Sequence, residues 1–246
     1  MNLLEIALLL VSGFVAGILN IVAGGGSFLT LPVLLFLGLP PTVANGTNRI
    51  AVALQNVSAT VAFARRGLIP YAWVASATLP AMATAPLGVW LAYQIPDADF
   101  RRLLAILMVI ITAGSFYFSG KLHDLSVPPA PRVRLVLTFA ALGIYTGFLQ
   151  AGVGFIILGS LQHMKLNLVH GNAVKVCSIL GATLVSLLGF SLGGEIAWTA
   201  GAFLAVGTIL GGQIGVRVAA AAGHHRLRII VLCATVIFAA VLWFGA

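Results

Sequence analysis

Apolar residues fall into ten runs, at residues 3–22, 28–39, 43–64, 71–93, 103–118, 135–149, 155–164, 174–192, 196–216 and 229–244, separated by short polar or turn-forming connections. Most reach or approach the length of about 20 residues that a helix needs to cross about 30 Å of hydrocarbon. The pattern therefore predicts transmembrane helices. Two runs, 28–39 and 155–164, are too short to cross unaided, and each follows glycine: Gly24, Gly25 and Gly26 before the first, Gly152 and Gly154 before the second. Non-helical backbone at membrane depth is tolerated only where it is buried in protein or lines a polar cavity. The two interruptions are thus the places to expect a binding site. The first run lacks the basic flank of a secretory signal and is long enough to span, so it is read as a retained helix.

The second half echoes the first. Gly13 and Gly17 recur as Gly143 and Gly147 at one constant separation, while Gly67, Gly88 and Arg101 recur as Gly194, Gly215 and Arg228 at a slightly shorter one. A duplication explains the ordered series. It gives a first transmembrane repeat over 1–119, a polar linker over 120–134 with Lys121, His123, Asp124 and three prolines, and a second repeat over 135–246. The fold class expected is an all-α polytopic membrane protein, with four long helices and one broken, half-length helical element per repeat. If the short elements only append to the preceding helices, the chain crosses eight times and its charges show almost no sidedness. If each makes its own crossing there are five per half. Arg65, Arg66, Lys121, Arg132, Arg134, Lys165, Arg226 and Arg228 then share one side, and Arg101 and Arg102 lie opposite, beside Asp97 and Asp99. The positive-inside rule favours the second arrangement, with the repeats inverted and both termini outside. Gly13/Gly17, Gly143/Gly147 and Gly211/Gly215 have the four-residue spacing that lets membrane helices approach closely.

Composition agrees with this pattern. Of 246 residues, 61% are hydrophobic and only 7% charged, against about a quarter charged in a soluble domain. The formal net charge of +8 sits mostly in the connections, as orientation in a membrane requires, and does not point to nucleic acid. Cys177 and Cys233 lie inside apolar runs and read as packing residues. No histidine pair has companions at metal-ligand spacing, and no phosphate-binding loop or catalytic constellation stands out, so neither metal, cofactor nor enzymatic activity is expected.

Few polar residues remain to carry chemistry. The amides of Gly24, Gly25, Gly26 and Ser27 open the first short helix, and those of Gly152 and Gly154 the second; a helix N-terminus attracts anions. Thr47, Asn48 and Arg49 form the most polar string of the first half, in which Arg49 offers a planar fork for an oxyanion. The corresponding string of the second half supplies Asn172 and Lys175, and an intramembrane cation is a functional hypothesis by default. Asn20 and Gln150 occupy matching places after Gly17 and Gly147, suited to lining one cavity from opposite repeats or to bonding between helices. Gln55 and Asn56 are weaker candidates of the same type. Arg217, His163, His170, His224 and His225 suit the interface. Glu195 is the one carboxylate poorly explained by a loop, and so the candidate proton carrier.

On these residues the chain resembles the TauE/SafE, or sulfite exporter, family of membrane permeases. Gly13-x-x-x-Gly17, Gly24-Gly25-Gly26, Pro32, Gly38 and Ala44-x-Gly46-Thr47-Asn48 look like that family's first-half signature. In the second half, where many members look like a second copy of the glycine triplet, this chain has Gly152-Val153-Gly154 and Asn172-Ala173-x-Lys175. The resemblance implies movement of sulfite, sulfonates or related small organosulfur anions across the inner (plasma) membrane. The expected partners are a small anionic substrate and the bilayer, with a homo-oligomer left open. Two other readings stand beside the permease: a passive anion channel and a non-transporting membrane subunit of a complex.

Overall fold

The computed structural model describes residues 1–22, 24–115 and 127–221, and every regular element among them is an α-helix. In order these are α1 (Leu3–Val22), α2 (Ser27–Phe36), α3 (Pro41–Arg65), α4 (Tyr71–Gln94), α5 (Asp97–Ser115), α6 (Arg132–Phe148), α7 (Val153–His163), α8 (Leu168–Leu192) and α9 (Trp198–Ala221). Lys121, His123 and Asp124 of the expected linker lie outside the described residues, as do the last expected helix at 229–244, His224, His225, Arg226, Arg228, Cys233 and the side chain of Arg217.

The helices extend past the apolar runs where polar residues suit a helix start. α5 begins at Asp97, with Asp97 and Asp99 in its first turn, where carboxylates complement the helix dipole. α8 begins at Leu168 because Asn167 caps it, its Oδ1 accepting from the His170 amide at 3.0 Å. α2 stops at Phe36, before Gly38 at φ 82° and the two prolines that open α3. With 10 and 11 residues, α2 and α7 are about 15 Å long, roughly half the hydrocarbon thickness.

Among the described residues, α1, α4 and α8 are long and apolar enough to cross a membrane, with mean hydropathies of 2.2, 1.3 and 1.9. α3 is as long as α8, but its polar string lowers its average. That string faces inward: Asn45, Thr47, Asn48 and Arg49 are buried, whereas Leu54, Val57 and Val61 of the same helix are exposed. Leu79, Trp90, Leu137 and Leu188 likewise point outward. Polar groups inside and apolar side chains outside are what lipid demands of a bundle.

Packing between the halves is reciprocal. α4 lies against α6 and α8, and α9 against α1 and α3. Small residues permit the closest of these approaches. Gly13 and Gly17 of α1 meet main chain of α9 at Leu204, Gly207, Thr208 and Gly212; Gly143 and Gly147 of α6 meet main chain of α4 at Ala81 and Ala85. Thr84 adds a bond from α4 to α6, donating to the Ala140 carbonyl at 2.7 Å.

Candidate functional site

Each interruption is a tight, polar turn. α1 ends at Val22; Gly24 takes φ 90° and donates its amide to the Leu19 carbonyl at 2.9 Å. The Gly26 amide is satisfied by Asn20 Oδ1 at 2.8 Å, so the last turn of α1 closes on the start of α2. In the second half Gln150 and Gly152 take φ 63° and 68°, and Gly152 caps α7. A left-handed glutamine is costly by about 1–2 kcal/mol and persists where its surroundings hold it. Gln150 is held at both ends of its amide: Oε1 accepts from Arg49 Nη1 at 3.4 Å, and Nε2 donates to Thr183 Oγ1. Asn20 is held in the same manner, its Nδ2 donating to Gln55 Oε1 at 3.0 Å.

The two turns meet. An added Cβ on Gly24 would stand 2.5 Å from the Gly154 carbonyl carbon, and one on Gly154 would stand 2.5 Å from Gly24 Cα. Beside this contact lies a cavity of about 20 Å³, walled by Asn20, Gly24, Ser27, Val52, Asn56, Gln150, Val153, Gly154, Lys175 and Ile179. A volume of this order takes water-sized guests. Anything larger requires the elements to part. The wall mixes polar groups, Asn20, Ser27, Asn56, Gln150 and Lys175, with the aliphatic side chains of Val52, Val153 and Ile179.

Both cations buried among the described residues cap helix ends, and each caps a helix of the opposite half. Arg49 on α3 donates Nη1 to the Thr146 carbonyl at 2.8 Å and Nη2 to the Gly147 carbonyl at 2.7 Å, both in the last turn of α6. Its guanidinium also reaches Asn45 Oδ1 at 3.3 Å and lies 4.6 Å from the centroid of the Phe190 ring. Asn45 adds a bond from Nδ2 to the Phe148 carbonyl at 2.7 Å. Lys175 on α8 donates to the carbonyls of Asn20, at 2.9 Å, and Ile21, at 3.2 Å, in the last turn of α1. A cation at a helix C-terminus answers the negative end of the dipole and the carbonyls left without intrahelical partners. Neither cation is paired with a carboxylate among the described residues.

Seven of the residues singled out in the sequence therefore share the cavity wall: Asn20, Gly24, Ser27, Asn56, Gln150, Gly154 and Lys175. The others stand elsewhere. Gly25 and Gly26 are buried in the turn behind it, the Gly25 carbonyl accepting from the Phe28 amide at 3.1 Å. Gly152 packs on the Phe28 ring. Asn48 accepts from Thr30 Oγ1 at 2.6 Å and fastens α3 to α2. Thr47 accepts from the Ala197 amide at 2.9 Å. Asn172 turns back to the Leu168 carbonyl at 3.0 Å, leaving its Oδ1 buried without a partner among the described residues. Glu195 lies in the connection between α8 and α9, half-buried, with its backbone against Gly46. Arg49 touches the cavity only through Gln150. The amides of Gly24 and Gly26, expected to be bare, are already bonded. Sequence reasoning missed Val52, Val153 and Ile179; Ile179 follows Lys175 by one helical turn, and that spacing was the available signal. Among the described residues no group of three His, Cys, Asp or Glu side chains is gathered as a metal site would require.

Comparison with known proteins matches residues 9–242 to the sequence model of the family described as Sulfite exporter TauE/SafE. Among curated relatives, "Probable membrane transporter protein ORF9" of Sinorhizobium sp is 30% identical over 228 residues, covering 91% of this chain and 86% of the relative. "Probable membrane transporter protein" of Haemophilus influenzae is 30% identical over 226 residues, covering 91% and 88%. "Probable membrane transporter protein YfcA" of Escherichia coli K12 is 27% identical over 241 residues, covering 94% and 87%. No solved structure matches the chain.

Proposed function

The chain belongs to the sulfite exporter TauE/SafE family of membrane transporters, and on that premise we propose that it is a secondary permease for small anions of the sulfite or sulfonate type, working in the inner membrane. One observation carries the reading: two glycine-interrupted segments meet at a small cavity whose one charged wall residue among the described residues is a lysine, with no described carboxylate beside it. Such a site favours a negative guest, and its aliphatic side chains suit the carbon end of a sulfonate. Binding must stay modest for the solute to leave again, and one cation with a few amides meets that need better than a cationic cluster. The transporting unit is two repeats of opposite topology, residues 1–119 and 135–246. Reciprocal packing and reciprocal capping of α1 and α6 support this arrangement. Asn20, Gly24, Ser27, Gln150, Gly154 and Lys175 contact the anion, while Gly25, Gly26, Thr47, Asn48, Arg49, Gly152 and Asn172 hold the frame.

The test is flux in liposomes containing the purified protein, with sulfite, sulfate, thiosulfate, sulfoacetate and acetate in competition. The expected result is saturable uptake of a sulfur oxyanion that is accelerated by the same anion on the far side. Linear flux without such acceleration would make the protein a channel. No flux at all would overturn the transport reading.

A further inference from the structure

We infer that Lys175 carries a coupling proton for the permease, a role that rests on the anion-transport reading above. The argument is one of donors and acceptors. A lysine ammonium has three N–H donors. Two of them go to the carbonyls of Asn20 and Ile21. The third has no acceptor among the described residues, and Lys175 is a wall of the cavity. An anion in that cavity supplies the missing acceptor and the missing negative charge together. Without an anion, a buried ammonium lacking a counter-charge is expensive, whereas the neutral amine has two N–H groups and two carbonyls to receive them. The site thus has two complete states, ammonium with anion and amine alone. Passage between them breaks or forms one N–H bond, the proton going to or coming from water on the side to which the cavity opens. Anion and proton enter together and leave together.

Among the described residues no other group in the cavity wall can do this. α1 offers main-chain carbonyls to Lys175, α2 offers Ser27, and α3 offers Val52 and Asn56. Gln150 in the turn before α7, Val153 and Gly154 on α7, Gly24 and Ile179 complete the wall, and none of these side chains titrates near neutrality. On α8 itself, His170 lies in the first turn bonded to Asn167, and Cys177 lies against Thr60. From the remaining neighbours of α8, α7 carries His163, exposed at the end away from the cavity, α6 brings Tyr145, whose hydroxyl donates to the Ala151 carbonyl, and α4 carries tyrosines only at its ends, Tyr71 and Tyr93. The charged residue linked to the cavity through Gln150 is Arg49, and a guanidinium does not give up its proton in a protein. The described carboxylates stand apart: Glu5 in the first turn of α1, Asp97 and Asp99 in the first turn of α5, and Glu195 between α8 and α9.

The experiment uses the full chain in sealed liposomes with a pH-sensitive dye inside, and sulfoacetate and thiosulfate as probes, because both stay fully ionised across neutral pH and carry no proton themselves. In the unsubstituted protein a pH gradient, acid outside, is expected to drive accumulation, and anion entry to acidify the lumen. Lys175→Arg keeps the charge but removes the exchangeable proton, and its accumulation is expected to be the same with and without the gradient. Glu195→Gln keeps the gradient response. Flux that ignores the gradient and leaves the dye unchanged in the unsubstituted protein overturns the inference, and this needs no variant to fold. Gradient-driven accumulation surviving in Lys175→Arg, or lost in Glu195→Gln, overturns it as well. Absence of flux for both probes instead overturns the transport reading beneath it.

Discussion

Gly24 and Gly154 touch main chain to main chain, so that the turn ending α1 and the first turn of α7 form one joint. Because neither residue has a side chain, the joint has no room for a methyl group on either side. Gly24 is further bound to glycine by its φ of 90°.

Gly154→Ala is therefore expected to destabilise the protein by about 1–3 kcal/mol through overpacking and to abolish flux, since the joint borders the cavity. Gly38→Ala is the control. Gly38 shares the left-handed backbone at φ 82° but has open space around it. It should lose only about 1–2 kcal/mol from the backbone conformation and still transport. Thermal unfolding in detergent and flux in liposomes check both.

Arg49 spans two carbonyls of α6 and two side chains with one planar group, which an ammonium cannot copy. Arg49→Met leaves the carbonyls of Thr146 and Gly147 buried and unpaired, and is expected to cost about 2–4 kcal/mol, taking each lost partner at about 1–2 kcal/mol. Arg49→Lys keeps the charge and one bond, so roughly half that loss is expected. Both should weaken transport indirectly, because Gln150 loses a partner. Denaturation midpoints of the two variants, compared with the unsubstituted protein, decide the order.

The sign of the transported charge can be read at Asn20. Asn20→Asp keeps the acceptor for the Gly26 amide but sets a carboxylate beside the Lys175 ammonium. Anion flux is expected to fall at least about tenfold, the equivalent of about 1.4 kcal/mol, while the protein stays folded. Asn20→Ala, which loses the turn-closing bond at about 1 kcal/mol, should fall less in flux than the aspartate. A carrier of cations would answer with a gain in the aspartate variant, and a flux assay separates the two outcomes.

Gln150 separates backbone cost from side-chain function. Gln150→Gly and Gln150→Ala both remove the bonds to Arg49 and Thr183, but only glycine relieves the backbone at φ 63°. The glycine variant should be the more stable of the two by about 1 kcal/mol. If Gln150 contacts the anion, both should lose affinity equally despite that difference, as measured by the half-saturation concentration.

Helices, their interruptions and the inward polar string of α3 were legible in the sequence because each follows from local chemistry: apolar length, glycine and the burial of amides away from lipid. Depth was not legible. Asn56 lies on nearly the same face of α3 as Arg49, about 10 Å further along the axis by helical rise, yet Asn56 walls the cavity and Arg49 ends on α6. Periodicity gives the face a residue occupies; which helix end waits opposite depends on how the bundle closes. For the same reason the amides of Gly24 and Gly26 were expected to be free, when Leu19 and Asn20, a few residues upstream, already take them. The engagement of α4 with the second half and of α9 with the first has no local signal beyond the small residues that permit it.

That exchange bears on how the chain is made. The glycine face of α1 leaves the ribosome well before its mate on α9, which is not complete until residue 221 has been added. Throughout elongation, Gly13 and Gly17 must be shielded by lipid tails or an insertase. The site is braced only once α9 has been added, and a chain halted after α8 would hold Lys175 and the α1 carbonyls it needs while lacking the helix that braces them.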